Sequence, residues 1–198
     1  MLDLIGYDIV RPRSQSHLRS GIAACSDDSH NLRYAPWFIE TRRPPRKVLE
    51  KLVEHLGTER NDRLLVLELG EATSGAYLNL RTPSQRWLRQ HGVSLGGSNA
   101  SGILGIAYTL HGARSHDYTR LARSISRMFP DHHKPLHALW FVATRKSPRT
   151  VCDELAKELP SREEDELLVL EVPLGRIRQS VLPEADSTWF DEHRILVN

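Results

Sequence analysis

The sequence has little that would mark a secreted, membrane-bound or metal-binding protein. Only 2 of its 198 residues are cysteine. Cys25 and Cys152 fall at non-equivalent places in the repeat described below, so they predict neither a shared metal site nor a repeated disulfide. No apolar run approaches the roughly 20 residues that cross a bilayer, and Asp3 and Asp8 lie where a signal peptide would be basic and then apolar. We therefore expect a cytoplasmic protein without a membrane partner.

Motifs of common enzyme classes are also missing. The chain has no Gly-x-Ser-x-Gly elbow, no catalytic Cys-His signature and no glycine loop for phosphate binding. In Asp131-His132-His133 the two adjacent histidines lie in a loop between Pro130 and Pro135 and lack a further ligand at a defined spacing, which disfavours a zinc site. The net charge of +2 is too small to indicate a nucleic-acid partner by itself. Up to residue 99, however, 14 basic residues outnumber 11 acidic ones, so the first half is mildly basic.

What the sequence does contain is an internal repeat. Residues 140–171 match residues 37–68 without a gap, and 15 positions are identical between the two stretches. The identities include the Trp-Phe pair that opens each stretch, three apolar positions at helical spacing, and the closing run Leu-Leu-Val-Leu-Glu. Similarity of this extent at a constant offset of 103 residues indicates a tandem duplication.

Both copies predict the same order of secondary structure. Each begins with a short apolar strand, at residues 4–10 and 103–110. A helix follows, well defined by its apolar spacing at residues 118–129 and shorter at residues 16–25. Strands at residues 37–41 and 140–144 lead into helices that start near Pro45 and Pro148, where the missing proline N–H costs nothing. Each copy then reaches a buried strand, at residues 64–69 and 167–172.

This order, with a hairpin partner expected just before Trp37, is the split β-α-β pattern of a ferredoxin-like βαββαβ domain. We therefore predict an α+β protein of two tandem ferredoxin-like domains, each with an antiparallel sheet and both helices on one face. Residues 1–94 form the first domain, which ends in a helical turn around Trp87, and residues 103–198 form the second. Residues 95–102, rich in Gly, Ser and Asn, have the composition of a linker.

Several short segments resemble one protein family. In the second copy, Ile-Ala-Tyr-Thr-Leu at 106–110, Asp-Tyr-Thr-Arg-Leu at 117–121, Leu-Trp-Phe-Val-Ala-Thr at 139–144 and Asp-Glu-Leu-Leu-Val at 165–169 resemble the SinR-like branch of the superfamily of CRISPR-associated protein 2. In the first copy, Gly-Tyr-Asp-Ile-Val at 6–10, followed by Arg11 and Arg13, resembles the main branch, with its strand-ending Tyr-Asp-Ile and its basic loop. Some members of that family are described as metal-dependent nucleases, others as nucleic-acid-binding scaffolds, and VapD-type relatives as ribonuclease toxins.

The resemblance also implies an arrangement of the two copies. The family's ferredoxin-like units dimerise through their sheets, and this chain holds both halves of such a dimer. We therefore expect the copies to pack sheet to sheet as an intramolecular pseudo-dimer, with effective concentration replacing association. Two domains that do not pack against each other would contradict this expectation.

Asp8 is the sharpest candidate for catalysis. It ends the first strand, and the catalytic members that the chain resembles hold a divalent cation, Mg²⁺ or Mn²⁺, between matching aspartates of both subunits. At the position aligned on the shared tyrosine, the second copy has Thr109. One carboxylate is a poor Mg²⁺ site, so the favoured interpretation is structural: Asp8 accepts hydrogen bonds from loop N–H groups or pairs with Arg11 or Arg13. We expect a degenerate or absent nuclease site.

A repeated basic cluster is the second candidate. It lies at a strand-to-helix turn in each copy and consists of Arg42, Arg43, Arg46, Lys47, Arg145, Lys146 and Arg149. Free N–H groups at a helix start attract anions, so each turn is a candidate phosphate site. Two such turns related by a two-fold axis would match the two backbones of a duplex. The competing interpretation is a solvated face whose charge is balanced by Glu40, Glu50 or Asp153.

Three functions are open at this point. The first is a non-catalytic nucleic-acid-binding or scaffold protein of a prokaryotic defence or toxin-antitoxin system, with duplex DNA or RNA as its partner. The second is a metal-dependent endoribonuclease that uses Asp8. The third is a protein-interaction module whose free sheet edges recruit a partner strand. The repeated basic turns and the loss of one aspartate favour the first. Trp37 and Trp140 could stack on bases, but their apolar flanks favour the core.

Overall fold

The structure is a computed structural model that describes residues 1–8, 12–31, 36–56, 63–69, 73–96, 102–112, 114–172, 177–179, 189 and 192, with side chains described outside residues 12–14 and 177–179. Within these residues the chain is a mixed α+β protein with five helices and two sheets. None of those helices combines the length and the apolar character that crossing a bilayer requires.

The elements follow one another in an order that repeats. The first half of the chain forms β1 (Leu2–Asp8), α1 (Pro12–Cys25), β2 (Asp28–Asn31), β3 (Trp37–Glu40), α2 (Pro45–Leu56), β4 (Arg63–Leu69), β5 (Ser74–Leu78), α3 (Thr82–Gln90) and β6 (Ser94–Leu95). The second half forms β7 (Gly102–Thr109), α4 (Ser115–Met128), β8 (His132–Leu136), β9 (Leu139–Thr144), α5 (Pro148–Leu155), β10 (Glu166–Val172) and β11 (Ile177–Gln179).

Both sheets contain the same four-strand arrangement. The first sheet has the strand order β11, β4, β1, β3, β2, and the second has the order β6, β5, β10, β7, β9, β8. β1 pairs antiparallel with β3 and β4, and β7 pairs antiparallel with β9 and β10. The registers also agree, because Tyr7 lies opposite Leu64 just as Tyr108 lies opposite Leu167. The sequence alignment of the two copies therefore coincides with their strand registers.

One edge of each arrangement is completed by a strand that the sequence did not predict. β5 follows β4 along the chain but pairs with β10, with Leu78 opposite Leu167. β11 follows β10 but pairs with β4, with Ile177 opposite Leu67. β6 adds a short parallel strand beside β5. The two segments are exchanged, because each leaves the strand that it follows and pairs with that strand's counterpart.

The apolar spacing that predicted α2 and α5 corresponds to their buried side chains. The shared positions Val48, Leu52, Leu56, Val151, Leu155 and Leu159 are all buried, although Leu159, predicted to lie on the helix, follows the end of α5 at Leu155. Burial of one such side chain contributes about 1.5–3 kcal/mol to stability. α5 begins with Pro148 in its first turn, and the Ser147 hydroxyl caps it by accepting the Thr150 N–H at 3.1 Å.

The opposite face of each sheet is apolar and buried as well. The side chains that alternate with the helix-facing ones include Leu4, Phe38, Leu65, Ile103, Phe141 and Leu168, none more than 4% exposed. An antiparallel sheet with one face in solvent would alternate apolar and polar residues. Each of these sheets is instead an interior layer, buried on both faces.

Two elements were only faintly indicated by the sequence. β2 is the hairpin partner expected before Trp37, and it is a four-residue, polar edge strand, which accounts for its weak signal. α1 begins at Pro12, four residues before the predicted start at Ser16. The first predicted strand, residues 4–10, is represented by β1, and residues 9 and 10 lie outside the described part of the chain.

The chain divides into two compact units. One contains Met1–Gly70, Pro135–His137 and Pro173–Asn198, and the other contains Glu71–Lys134 and Ala138–Val172. The first unit holds the first sheet with α1 and α2, and the second holds α3, α4, α5 and the second sheet apart from the end of β8. The helix around Trp87, expected to close the first domain, belongs to the second unit. The sequence boundary at residues 95–102 stays a prediction, since residues 97–101 lie outside the described residues.

Candidate nucleic-acid interface

Asp8 is the last residue of β1, and Arg63 of β4 lies opposite it. Thr109 occupies the matching place at the end of β7, opposite Glu166. The register therefore aligns the aspartate of the first copy with a threonine in the second, as the sequence alignment did. The Oδ2 atom of Asp8 accepts a hydrogen bond of 2.8 Å from the backbone N–H of His137.

The residues around Asp8 hold a turn of the chain. Arg63, its neighbour across the ladder, donates from Nη1 to the Pro135 carbonyl oxygen at 3.1 Å. Asp8 and Arg63 thus bind the two ends of the segment Pro135–His137, which is the loop-acceptor role expected of a structural aspartate. Within the described residues, no group of three or more His, Cys, Asp or Glu side chains is placed to hold a metal. Catalysis by Asp8 and a Mg²⁺ or Mn²⁺ site there stay predictions.

The two predicted basic turns share a local geometry. The Oγ1 atom of Thr41 accepts the N–H of Arg43 at 3.1 Å, and that of Thr144 accepts the N–H of Lys146 at 3.1 Å. Each threonine hydroxyl closes the turn that precedes the helix. The basic side chains carried by both turns are exposed. The sequence repeat is therefore also a repeat of conformation at this candidate site.

Carboxylates of the following helix neutralise four of the seven basic residues. The ion pairs are Arg46–Glu50 at 3.1 Å, Lys47–Glu50 at 2.6 Å, Arg149–Asp153 at 3.0 Å and Lys146–Glu154 at 2.7 Å. Glu50 and Asp153 supply the balancing charge that the solvated-face interpretation expected. Exposed pairs of this kind contribute only about 0–1 kcal/mol each. They nevertheless lower the attraction of these four cations for an external phosphate.

Three arginines of the turns are not neutralised in this way. The side chain of Arg42 is 96% exposed, and its Nε atom lies 3.9 Å from Oδ2 of Asp27, which is a loose pair. Arg43 and Arg145 are exposed and form no ion pair with any residue that the structure describes. Arg11 and Arg13 were also predicted to bind nucleic acid. Arg11 lies outside the described residues, and Arg13 is described only as backbone of α1.

Each unit contains a tryptophan hydrogen-bonded to a tyrosine. The Nε1–H of Trp140 donates to Oη of Tyr108 at 3.3 Å, and Trp140 is 4% exposed. Trp37 and Tyr7 form the equivalent pair, partly buried against the first hydrophobic core. Burial raises the pKa of both tyrosines, and the tryptophan hydrogen bond opposes that rise. The core role predicted for Trp140 is confirmed, and Trp37 is partly buried against the first core.

Asp3 is a buried carboxylate that the sequence reasoning did not single out. It lies in β1, is 0% exposed, and neither of its carboxylate oxygens has a hydrogen-bond partner among the described residues. Glu68 lies opposite it in β4. Burial, and then the charge of Glu68, raise the pKa of Asp3 to about 7. The matching residue of β7 is Leu104, which lies opposite Glu171. The alignment of the two copies therefore pairs an aspartate with a leucine, and this mismatch was the sequence signal that could have identified Asp3.

Comparison of the chain with protein-family models, with curated proteins and with solved structures finds no match. The resemblance to the superfamily of CRISPR-associated protein 2 therefore depends on the short segments quoted above and remains a hypothesis.

Proposed function

We propose that the chain is a non-catalytic nucleic-acid-binding or scaffold protein, built from two ferredoxin-like domains that arose by tandem duplication and act as an intramolecular pseudo-dimer. The sequence identities, the equal strand orders and the equal registers support the duplication. The exchange of β5 and β11 and the burial of both faces of each sheet support the pseudo-dimer. The resemblance suggests a prokaryotic defence or toxin-antitoxin system, in the cytoplasm, as the setting.

The observation that carries the nucleic-acid proposal is the set of unneutralised arginines in the two turns. Arg42, Arg43 and Arg145 are exposed, and both turns are closed by the same threonine hydrogen bond. The planar guanidinium group matches two oxygens of a phosphate, which a lysine ammonium does not. Contacts of this kind read the backbone and not the base sequence. A scaffold that holds any duplex of suitable length is therefore the favoured function.

The two other functions have less support. A metal-dependent endoribonuclease would use Asp8, whose Oδ2 atom is engaged by the His137 N–H and whose counterpart is Thr109. A module that recruits a partner strand would need a long, open sheet edge, and at one end of the two sheets the outermost described strands are β11 and β6, of only three and two residues. The opposite edges are β2, which has only four residues, and β8, which contains Pro135.

The experiment is a fluorescence-anisotropy titration of a labelled duplex, DNA or RNA, at about 50 mM and about 200 mM KCl. The variant Arg42→Gln/Arg43→Gln/Arg145→Gln should bind about tenfold more weakly than wild type and show a shallower salt dependence. Arg46→Gln/Lys47→Gln/Arg149→Gln is the charge-matched control, because it also removes three positive charges from the same basic cluster but all three are already ion-paired, and its affinity should change by less than about twofold. A wild-type protein that binds neither duplex at the lower salt would overturn the proposal.

A further inference from the structure

α4 carries a row of arginines on its exposed face. Arg120, Arg123 and Arg127 are all exposed and are spaced three and four residues apart, which places them on one side of a helix. Leu121 and Ile125 are fully buried in the second core and anchor the helix to its sheet. The row, which we call the α4 arginine stripe, is therefore held on a rigid element and directed at solvent.

The charge of the α4 arginine stripe is poorly compensated. Arg120 and Arg123 form no ion pair with a described residue. The Nη2 atom of Arg127 lies 3.8 Å from Oε1 of Glu158, and the arginine side chain is 74% exposed. Arg123 has an arginine three residues before it and another four residues after it. Like charges at these spacings destabilise a helix, so α4 carries an electrostatic penalty that a bound anion would remove.

The basic residues of α2 and α5 are balanced differently. Each of these helices places a carboxylate three or four residues after a basic residue, in the pairs Arg46–Glu50, Lys47–Glu50, Lys51–Glu54 and Arg149–Asp153. α3 has Arg86 and Arg89 at the three-residue spacing, and Arg89 lies in its last turn, as Arg127 does in α4, where the helix dipole favours a cation. Among the described helices, the three-arginine row is a feature of α4.

The counterpart of α4 in the first unit shows that the fold does not need these charges. Gly21 of α1 packs on α2, where a Cβ atom would lie 3.1 Å from Cβ of His55, and at the matching place Ser124 donates to Oε2 of Glu158 at 2.8 Å. With the two helices aligned on that contact, the stripe positions are occupied in α1 by His17, Ser20 and Ala24. The same helical scaffold therefore forms without an arginine row.

We propose that the α4 arginine stripe is the main contact of this protein with the phosphate backbone of a duplex. The proposal rests on the proposed nucleic-acid function and assigns it to a surface on the second unit. Seven residues of helix rise about 10.5 Å, and over that length one strand of a B-form duplex presents about three phosphates. Three arginines thus match one backbone in number and reach, and their guanidinium groups match phosphate oxygens.

A matched control is present in the same unit. Arg86 and Arg89 of α3 are an exposed arginine pair with the same spacing as Arg120 and Arg123. Ala76 of β5 belongs to the core that α4 and α5 cover, whereas Oη of the next residue, Tyr77, donates to Oε1 of Gln85 in α3 at 2.7 Å. Because successive strand residues point to opposite faces, α3 lies on the other face of the second sheet. Removing its two arginines changes the net charge equally but leaves the α4 face intact.

The test compares Arg120→Gln/Arg123→Gln with Arg86→Gln/Arg89→Gln in titrations of labelled DNA and RNA duplexes over a series of KCl concentrations, with circular dichroism to verify folding. The α4 variant should bind about tenfold more weakly, and the slope of log affinity against log salt should fall by about 2. The α3 variant should stay within about twofold of wild type. As a control for an acidic protein partner, polyglutamate with the same total charge as the duplex is added as a competitor, and it should displace the duplex poorly.

The outcomes separate the two proposals. Wild-type protein that binds no duplex at low salt overturns both the proposed function and the stripe. Wild-type protein that binds, together with an α4 variant that binds equally well, overturns the stripe alone and leaves the turns as the contact. Equal losses in both variants, or efficient displacement by polyglutamate, also contradict the stripe, because they indicate a net-charge effect or an acidic protein as the partner.

Discussion

The two units share a scaffold and differ in where they place charge. In the first unit, β1 buries Asp3 and ends in Asp8, at positions where β7 has Leu104 and Thr109. The second unit buries Asp165, whose carboxylate oxygens accept the N–H groups of His111 and Ser161, and carries its distinguishing charge on the outside, in the arginines of α4. The comparison teaches that the buried apolar positions determine the strand order and the core in both units. The charged residues that differ between the units affect stability, as at Asp3, or binding, as in α4.

The largest effect on the free energy of unfolding is expected when a buried aspartate like Asp3 is introduced at the matching position of the second unit. Leu104 is 2% exposed in the second core and lies opposite Glu171, as Asp3 lies opposite Glu68. Leu104→Asp should lower the free energy of unfolding at neutral pH by about 3–5 kcal/mol, measured by urea denaturation, because it loses apolar burial and adds an uncompensated charge. Leu104→Asn is the uncharged control, and an equal, pH-independent loss in both variants would show that charge is not the cause.

A smaller, pH-dependent effect is expected at Asp3 itself. Its pKa is raised from 3.8 to about 7, so between these values the folded state binds more protons than the unfolded state, and this group's contribution to stability falls as the pH rises. Asp3→Asn should therefore raise the free energy of unfolding by about 3–4 kcal/mol at pH near 8 and change it little at pH near 4, in urea titrations across that range. Equal effects at both pH values would contradict a buried, protonated Asp3.

The smallest effect compares the two tyrosine-tryptophan pairs. Tyr108→Phe leaves the buried Nε1–H of Trp140 without its acceptor and should cost about 1–2 kcal/mol of unfolding free energy. Tyr7→Phe should cost less than about 1 kcal/mol, because Tyr7 and Trp37 are only partly buried and water can replace the lost partner. Thermal and urea unfolding of both variants measure the difference, and a larger loss in Tyr7→Phe would refute this view of the two pairs.

The strands and helices whose buried apolar residues recur at a regular spacing could be predicted from the sequence. The closing strands and the second helix of each copy were indicated by shared apolar positions, and their registers agree with the alignment. The exchange of β5 and β11 could not be predicted, because β4 and β10 share the run Leu-Leu-Val-Leu-Glu. Because β4 and β10 have this run in common, the sequence does not indicate which of the two β5 or β11 pairs with.

The candidate site was only partly accessible in the same way. The sequence indicated the repeated basic turns and offered Glu40, Glu50 or Asp153 as balancing charges, and the ion pairs confirm Glu50 and Asp153. It did not single out Asp3, because a lone aspartate in an apolar stretch can belong to a strand end or to a core. The α4 arginines were passed over because exposed arginines are common on helices, and their lack of carboxylate partners becomes evident only in the folded structure.

The most direct test of the account is a titration of isotope-labelled protein with unlabelled duplex, followed by backbone amide chemical shifts. We predict that amides of α4, around Arg120 and Arg123, shift together and saturate, with smaller shifts at Arg43 and Arg145 in the turns. Amides of α3, around Arg86 and Arg89, should stay unchanged. Shifts confined to α3, or no saturating shift at low salt, would contradict it.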